Sequence, residues 1–361
     1  MPKPSPATTS ASPTNPLLPR RLLPFPGSLF NFAWLLPLII LTLPLRIDAA
    51  PQSSIAREDV LQFIDEMVNR HQFDAEQLQQ LFSQARYQQK IIDAISRPAE
   101  GKDWYQYRPI FLNQKRITEG VAFLRQQRET LQRAEEKFGV PPEIITAIIG
   151  VETRYGQHSG SYRVIDALST LAFAYPKRAP FFRKQLEQYL LMAREEQLQP
   201  LQLKGSYAGA MGMPQFIPGS FREYAIDFDG NGHRDLWQSV EDVIGSVANY
   251  FKRHQWRQGG AVAVRAKVAD NLHLPLLEKG YQPSIPVNQL QRFGVIPTWT
   301  IPPKGEDVAL IALKQQQGEE HWVVFDNFYV ITRYNHSPLY AMAVFQLSEA
   351  IRSAATLTVV Q

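Results

Sequence analysis

One glutamate in this sequence occupies a position where a carboxylate is chemically useful. Glu152 lies near the end of the segment 141–156, PPEIITAIIGVETRYG, which predicts a helix because proline suits the first turn and glycine suits the stop. Three isoleucines, Ile145, Ile148 and Ile149, lie seven, four and three residues before it, so helical geometry places the carboxylate on an apolar stripe. Desolvation and the carbonyl end of the helix dipole both favour a protonated carboxyl there. A neutral carboxylic acid at neutral pH can serve as a general acid.

A structural role for the same carboxylate is the alternative. At a frayed helix end, Glu152 would bond Arg154 or a neighbouring backbone group instead. The helix by itself favours this structural role, and only features elsewhere in the chain favour the general acid.

A glycine-rich segment follows further along the chain. The residues 204–219, KGSYAGAMGMPQFIPG, interrupt the helical periodicity with glycines and two prolines. Such a composition lets the backbone approach a ligand or another chain segment closely. Ser206 and Gln215 are its main hydrogen-bonding side chains. An irregular loop without a function is the alternative interpretation.

The loop at 227–235, DFDGNGHRD, resembles the first half of a calcium-binding loop of EF-hand type. Asp227, Asp229 and Asn231 supply oxygen atoms at positions 1, 3 and 5. A glycine at position 6 permits the sharp bend, and His233 supplies its backbone carbonyl at position 7.

The second half of this loop departs from the pattern. Position 12, which requires a bidentate glutamate, is Gln238. Asp242 in the following helix can close a longer loop, and Glu241 is the other candidate. We predict a structural calcium ion here. The alternative is a turn in which Asp, Asn and Gly residues bond only one another.

Composition excludes several classes of function. The chain has 361 residues, enough for two or three domains, and a formal net charge of +4. Lys3, Arg20, Arg21 and Arg46 supply most of that charge from the first 50 residues, where Asp48 is the one acid, so the body is nearly neutral. A nucleic-acid partner is not expected, because it would leave a basic stripe on the folded domain. Without cysteine the chain has no disulfide, thiol nucleophile or thiolate metal site.

The N-terminus predicts export. A basic pair, Arg20 and Arg21, precedes an uncharged apolar run at 29–45, and Ala49 and Ala50 offer a cleavage site. We therefore expect a periplasmic protein exported by this signal. The alternative is a signal anchor retained in the inner membrane, although the run is short for a span and contains two prolines. The body lies outside that membrane in either case.

The remaining pattern is mainly helical. Helical periodicity runs through 55–138, with a capping-box start at Asp74 and one long helix predicted over 118–138. The aromatic segment DWYQYRP at 103–109 is predicted to be a loop with exposed rings.

The second half of the chain contains both kinds of element. Helices are predicted at 181–198, 239–254 and 338–352, and strands at 262–268, 308–313 and 321–333. The strands are clustered, which indicates a separate β region.

Several longer motifs resemble the membrane-bound lytic transglycosylase B family, that is, lytic murein transglycosylase B. They are IIGVETRYG at 148–156, IDALSTLAFAYPKR at 165–178, LKGSYAGAMGMPQFIPGSF at 203–221, DFDGNGHRDLW at 227–237 and ITRYNHSPLYAMAVFQL at 331–347. The motifs are too long to match by chance, and the resemblance extends from residue 55 to the end of the chain.

The resemblance implies a mainly α, α+β fold, with a lysozyme-like helical core, an N-terminal helical domain and a small antiparallel β domain. The expected organisation is an export leader at 1–50, the N-terminal helical domain at 51–139, the catalytic core with the calcium loop at 140–258, the β domain at 259–336, and a C-terminal helix returning to the core at 337–361.

The resemblance also implies a lytic transglycosylase. Such an enzyme cleaves the β-1,4 bond between MurNAc and GlcNAc of peptidoglycan without water, giving 1,6-anhydroMurNAc ends in cell-wall turnover. Glu152 matches the catalytic acid. The residues implied to line the glycan groove are Ser206, Gln215, Tyr107, Arg178, Tyr250, Tyr334, Asn335 and Tyr340. The implied ligands of a structural Ca²⁺ are Asp227, Asp229, Asn231, His233 and Asp242.

Partners and alternatives follow from the same resemblance. We expect a monomer that binds peptidoglycan glycan strands and cell-wall synthesis enzymes, and that needs no cofactor for catalysis. The chain lacks the cysteine that lipoprotein members of the family carry for acylation, so a soluble or signal-anchored form is expected. The alternatives are a hydrolytic muramidase of lysozyme type and a non-catalytic peptidoglycan-binding protein.

Overall fold

The structure, a computed structural model, describes residues 57–96, 101–298 and 305–357. The predicted leader at 1–50 lies outside these residues. Within the described part of the chain, no helix combines the length and the apolarity needed to cross a membrane.

Helices fill the chain ahead of the segment that carries Glu152. They are α1 (Arg57–His71), α2 (Ala75–Ser83), α3 (Gln89–Ile95), α4 (Trp104–Phe111), α5 (Gln114–Gln126) and α6 (Arg128–Phe138). Asp74 caps α2 as predicted, because its carboxylate accepts the Gln77 N–H at 2.7 Å.

Two predictions for this region are wrong. The aromatic segment predicted as a loop forms α4, in which Trp104 is buried. Packing of α4 against the C-terminal helix explains the difference, because burial of one face stabilises a helix that local propensity does not specify. The single helix predicted over 118–138 is two helices, since the backbone leaves the helical conformation at Gln127.

The next helices form the centre of the molecule. They are α7 (Pro142–Thr153), α8 (Val164–Ala174), α9 (Ala179–Glu195), α10 (Pro218–Tyr224) and α11 (Val240–Arg253). The isoleucine stripe of α7 is fully buried, as its spacing predicts. Ser239 caps α11, its hydroxyl accepting the Asp242 N–H at 3.1 Å, which matches the predicted start.

The strands form two antiparallel sheets. The small sheet pairs β1 (Tyr162–Arg163) with β2 (Lys204–Gly205). The larger sheet contains β3 (Ala263–Val268), β4 (Ile285–Pro286), β5 (Val295–Pro297), β6 (Asp307–Lys314) and β7 (Glu319–Val324), in the order β4-β6-β7-β3-β5. A short helix, α12 (Leu274–Leu277), lies against β6.

Both faces of the larger sheet are covered, which explains its continuous apolar strands. On β6, Ala309 and Ile311 belong to the main core, whereas Val308 and Leu310 belong to a second core with α12. Alternate residues of a strand point to opposite faces, so one strand supplies both cores.

The strand predicted over 321–333 is correct only in its first part. β7 ends at Val324, and α13 (Asp326–Tyr334) follows, so β-branched residues such as Val330 and Ile331 lie in a helix. Asn327 fixes the first turn of α13 by accepting the Arg257 N–H at 2.8 Å and donating to the Arg257 carbonyl at 2.8 Å. This tertiary contact overrides the local strand preference.

The C-terminal helix α14 (Pro338–Leu357) connects these parts. It packs against α4, α5, α7 and α13. One hydrophobic core extends from Phe63 on α1 to Ile351 on α14 and includes one face of the larger sheet. The predicted boundaries at 139, 258 and 336 remain predictions, since the segments on either side share this core.

A buried carboxylate joins the N-terminal helices to the central ones. Asp166 on α8 is 1% exposed and accepts from Arg163 Nη2 at 2.7 Å and Nε at 2.8 Å. It also accepts the Arg86 N–H at 2.9 Å and an amide proton of Gln88 at 3.1 Å. Removing the carboxylate would take the acceptor from the Arg86 N–H and the Gln88 amide, and would leave Arg163 only its bond to the Gln84 carbonyl.

We predict that Asp166→Ala lowers the free energy of unfolding by about 1 to 3 kcal/mol, because it removes the acceptor from the Arg86 N–H and from the half-buried Arg163 guanidinium. The matched control is Glu223→Ala, which removes the partner of Arg253 from an exposed ion pair and should cost less than about 1 kcal/mol. Urea titrations of the two variants measure both values. Equal losses would contradict the assignment of Asp166 as a structural centre.

Candidate active site

Glu152 lies in the last turn of α7 and is a half-buried residue. Tyr340 on α14 donates from its hydroxyl to Glu152 Oε1 at 2.5 Å. Burial raises the pKa of Glu152 to about 7, and the hydrogen bond from Tyr340 opposes part of that rise. A carboxyl with such a pKa is largely protonated just below neutral pH and ionised just above it, so it can both donate and accept a proton.

Arg154 does not pair with Glu152, in contrast to the structural alternative for this carboxylate. It donates from Nε and Nη2 to the two carboxylate oxygens of Glu119 on α5, each at 2.6 Å. Among the described residues, no cation contributes to the pKa of Glu152. The acid therefore keeps a high pKa although an arginine follows it two residues later in the chain.

Three tyrosines from α11, α13 and α14 lie side by side next to this carboxyl. The rings of Tyr340 and Tyr334 are stacked with centroids 6.4 Å apart, and Tyr334 and Tyr250 are 4.8 Å apart. Burial raises the pKa of each of the three phenols above its ordinary value. They are therefore neutral at physiological pH, and the Tyr340 hydroxyl acts toward Glu152 as a proton-bearing donor.

The glycine-rich segment is attached to the end of α7. Thr153 donates from its hydroxyl to the Met213 carbonyl at 2.8 Å, and Tyr334 donates to the Pro214 carbonyl at 2.5 Å. At Gly212, with φ of +67°, an added Cβ would lie 2.4 Å from the Leu236 carbonyl oxygen. Only glycine fits this close approach of two backbone segments, so the segment is held against the catalytic helix.

Ser206 and Gln215 both bond the backbone around this segment. The Ser206 hydroxyl accepts the Ala210 N–H at 3.0 Å and the Ala208 N–H at 3.3 Å. Gln215, with φ of +53°, donates its amide protons to the carbonyls of Ser159 and Gly212. Its amide oxygen is not engaged by these bonds and can accept from a ligand.

Of the other predicted groove residues, only some lie near Glu152. Tyr107 on α4 is close enough to influence the pKa of Tyr340. Arg178 is exposed ahead of α9, with its guanidinium 4.4 Å from the Phe181 ring centroid. Asn335 is exposed at the end of α13. In the described part of the chain, no hydrogen bond or ring contact joins Arg178 or Asn335 to the group around Glu152.

The predicted metal loop gathers three carboxylates. Oxygen atoms of Asp227, Asp229 and Asp242 lie within 4.8 Å of one another. Asn231 and His233 lie beside them in the exposed part of the loop, where the Asn231 side chain accepts the His233 N–H at 2.9 Å. An all-oxygen set of this kind suits a hard cation such as Ca²⁺.

The same carboxylates also bond the loop backbone. The Gly232 and Gly230 N–H groups donate to Asp227, and these bonds lower the pKa of its carboxyl. Asp242, fully buried, accepts from three backbone N–H groups, while burial raises its pKa. The self-bonded turn of the alternative interpretation is thus present. It brings three like charges together, an arrangement that a cation stabilises.

Sequence reasoning missed Thr153 and Tyr155, which follow the acid in the motif ETRYG. Their partners, Met213 and the Arg116 carbonyl, are 60 and 39 residues away in the chain. Nothing in local periodicity connects residues so far apart. Conservation of the whole motif among related sequences is the signal that could have identified them.

Comparison with known proteins agrees with this geometry. The profile of the family described as "Transglycosylase SLT domain" matches residues 56–349. The chain is 46% identical over 303 residues to Membrane-bound lytic murein transglycosylase B of Escherichia coli strain K12, covering 81% of this chain and 82% of the relative.

Solved structures of similar proteins cover the same region. Soluble lytic transglycosylase SltB1 of Pseudomonas aeruginosa is 50% identical, with a TM-score of 0.78 over 82% of this chain and 98% of the other. Escherichia coli lytic transglycosylase Slt35, solved in complex with calcium, is 45% identical, with a TM-score of 0.77 over 82% and 94%.

A more distant structure carries a ligand. SltB3 of Pseudomonas aeruginosa, solved in complex with NAG-NAM-pentapeptide, is 29% identical, with a TM-score of 0.74 over 82% of this chain and 80% of the other. The fold, the raised pKa of the acid at the end of α7 and these matches agree, and the chain belongs to the lytic murein transglycosylases that carry the transglycosylase SLT domain.

Proposed function

We propose that this protein cleaves the β-1,4 bond between MurNAc and GlcNAc in peptidoglycan without water and leaves 1,6-anhydroMurNAc ends. The observation that carries the proposal is Glu152, a half-buried residue at the end of α7 whose carboxyl pKa is raised to about 7 by burial. The SltB3 relative binds a fragment of the same polymer.

In the proposed reaction, protonated Glu152 donates its proton to the glycosidic oxygen, and the bond from that oxygen to the anomeric carbon of MurNAc breaks. The acetamido oxygen of the same sugar bonds to the anomeric carbon and takes up the positive charge, as in substrate-assisted glycosidases. Glu152, now ionised, removes the proton from the C6 hydroxyl. The C6 oxygen then replaces the acetamido oxygen at the anomeric carbon, which closes the anhydro ring.

Tyr340 serves both halves of this cycle. Its hydroxyl bond to Oε1 stabilises the ionised carboxylate that remains after the first proton transfer. It also fixes the orientation of the carboxyl, so that the other oxygen, Oε2, is left to face the substrate. A single carboxyl with a pKa near neutrality can therefore act first as acid and then as base.

The other groove residues are proposed to bind the glycan strand. Ser206 and Gln215 hold the glycine-rich segment that forms one wall, and Gln215 offers its amide oxygen to a sugar hydroxyl or amide. Tyr107, Tyr250 and Tyr334 offer aromatic surface. Arg178 and Asn335, at the exposed rim, are suited to bonding the more distant sugars or the stem peptide.

We propose that the loop ligands Asp227, Asp229, Asn231, His233 and Asp242 hold a structural Ca²⁺. The supporting observations are the three gathered carboxylates and the calcium complex of the Slt35 relative. The ion would neutralise the repulsion in the loop and stabilise the turn between α10 and α11. We also propose export to the periplasm, since peptidoglycan lies there and the leader at 1–50 has the composition of a signal.

We predict that Glu152→Gln lowers kcat by at least about 10² to 10⁴ while glycan binding remains. Mass spectrometry of digested sacculi gives the rate and the product ends, and wild-type ends should weigh one water less than reducing ends. Reducing ends from the wild type would instead identify a muramidase. Full activity of the variant would remove Glu152 from the mechanism.

The same variant should be more stable than the wild type above pH 7. Because the folded pKa of Glu152 is raised, this residue favours folding only while it is protonated, and that contribution is lost as pH rises from about 4.5 to about 7. Glu152→Gln has no such loss, so at pH 8 its melting temperature should exceed that of the wild type. Its free energy of unfolding should be higher by up to about 3 kcal/mol. At pH 4 the two melting temperatures should agree.

The pH dependence of kcat should respond to Tyr340. In the wild type, kcat should fall as pH rises through about 7, where Glu152 loses its proton. Tyr340→Phe removes a bond that stabilises the carboxylate, so this alkaline limb should move to higher pH while kcat decreases at its maximum. A limb that stays in place or moves to lower pH contradicts the assignment.

We predict that chelation lowers the melting temperature and that excess Ca²⁺ restores it, because an ion present at about 100 times its Kd stabilises the fold by about 2.7 kcal/mol. Asp229→Asn should abolish this response. The matched control is Asp270→Asn, since Asp229 and Asp270 each accept an N–H from the residue two positions later. An unchanged melting curve of the wild type after chelation would exclude a structural ion.

A further inference from the structure

The chain leaves α7 through an unusual backbone conformation directly after the catalytic acid. Arg154 has φ of +52° and Tyr155 has φ of +59°, so two residues with side chains occupy the left-handed region in succession. Such conformations persist only where surrounding contacts enforce them. The contacts here come from the side chains of residues 153, 154 and 155.

These three side chains bond two other parts of the molecule. Thr153 donates to the carbonyl of Met213 in the glycine-rich segment at 2.8 Å. Arg154 forms the bidentate pair with Glu119 on α5. Tyr155 donates from its hydroxyl to the Arg116 carbonyl, also on α5, at 2.9 Å. The backbone next to Glu152 is thereby fixed from two sides.

Tyr155 has a slot prepared for it by two glycines. A Cβ added at Gly150 on α7 would lie 2.7 Å from the Tyr155 ring, and one added at Gly120 on α5 would lie 2.4 Å from the Tyr155 hydroxyl. Phe123 closes the slot, with its ring centroid 5.6 Å from that of Tyr155. Any side chain at either glycine would displace the tyrosine.

We propose that Tyr155 is a positioning residue for Glu152, acting through the end of α7. The ring sits between α5 and α7 and sets the distance between them, while its hydroxyl bond holds the left-handed turn that follows the acid. The expected change in kcat rests on the proposed function, whereas the expected change in the pKa of Glu152 does not.

Tyr155 can affect catalysis because the pKa and the position of the Glu152 carboxyl depend on the packing around the end of α7. A displaced helix end lets water reach the carboxyl, and this lowers its pKa because burial is the main cause of the raised value. A shift of about 1 Å in such a group can cost about 10² in rate without any lost contact to substrate. The expected signature is therefore a lower kcat with an unchanged KM.

The test compares Tyr155→Phe with Tyr189→Phe. Both variants lose one hydroxyl bond to a backbone carbonyl, since Tyr189 donates to the Pro200 carbonyl at 2.6 Å. Tyr189 lies on α9, and within the described residues no side-chain hydrogen bond joins it to α7 or Glu152. The pKa of Glu152 is read by carbon-13 NMR on carboxyl-labelled protein, with Glu152→Gln to assign the signal. Turnover of glycan strands gives kcat and KM.

Tyr155→Phe should lower the pKa of Glu152 by about 1 unit and kcat by about tenfold, with KM unchanged, whereas Tyr189→Phe should leave all three at the wild-type values. A wild-type pKa in Tyr155→Phe, or the same kinetic loss in both variants, overturns the proposal. An inactive wild type would reject the proposed function alone, because the NMR titration still tests the positioning role.

A double-mutant cycle gives an independent check. Gly150→Ala should lower kcat and the pKa of Glu152 by displacing the tyrosine. In a Tyr155→Ala background, where there is no ring to displace, the added methyl group should change neither quantity. Additive effects of the two substitutions overturn the proposed slot, whether or not Tyr155→Phe alters the rate.

Discussion

The structure depends on keeping one carboxyl out of water while leaving it within reach of a substrate. The buried isoleucine stripe of α7 removes solvent from one side of Glu152, and the Tyr340 hydroxyl supplies a single hydrogen bond on the other. Desolvation outweighs this bond, so the pKa rises to about 7. A second donor or a nearby cation would lower the pKa of Glu152 again, and Arg154, two residues later in the chain, is bound to Glu119 instead.

Elements whose stability is local could be predicted from the sequence. The start of α7, the Asp74 cap of α2 and the limits of α11 follow from capping residues and apolar spacing. Helices α4 and α13 could not be predicted, because packing against α14 and the Asn327 bonds to Arg257 decide their conformation. Local propensity favours a loop where α4 forms and a strand where α13 forms.

The site shows the same division. The spacing on α7 predicts that Glu152 is desolvated, and the acidic loop predicts the gathering of Asp227, Asp229 and Asp242. The hydrogen-bond donor to Glu152 is 188 residues away, and the partner of Arg154 is 35 residues away. Such pairs are fixed by the arrangement of helices, which no single stretch of sequence encodes. The resemblance to a family supplied Tyr340 but not the role of the residues that follow the acid.

The position of α14 has a consequence for the order in which the enzyme matures. Tyr340 on α14 donates the hydrogen bond to Glu152, and α14 follows every other described element in the chain. Until α14 packs against α7, Glu152 lacks both the Tyr340 donor and the burial that α14 supplies, so its pKa stays closer to the ordinary value and the site is incomplete. The proposed acid therefore forms only once the last described helix has docked, which makes the completion of the site a late event in folding.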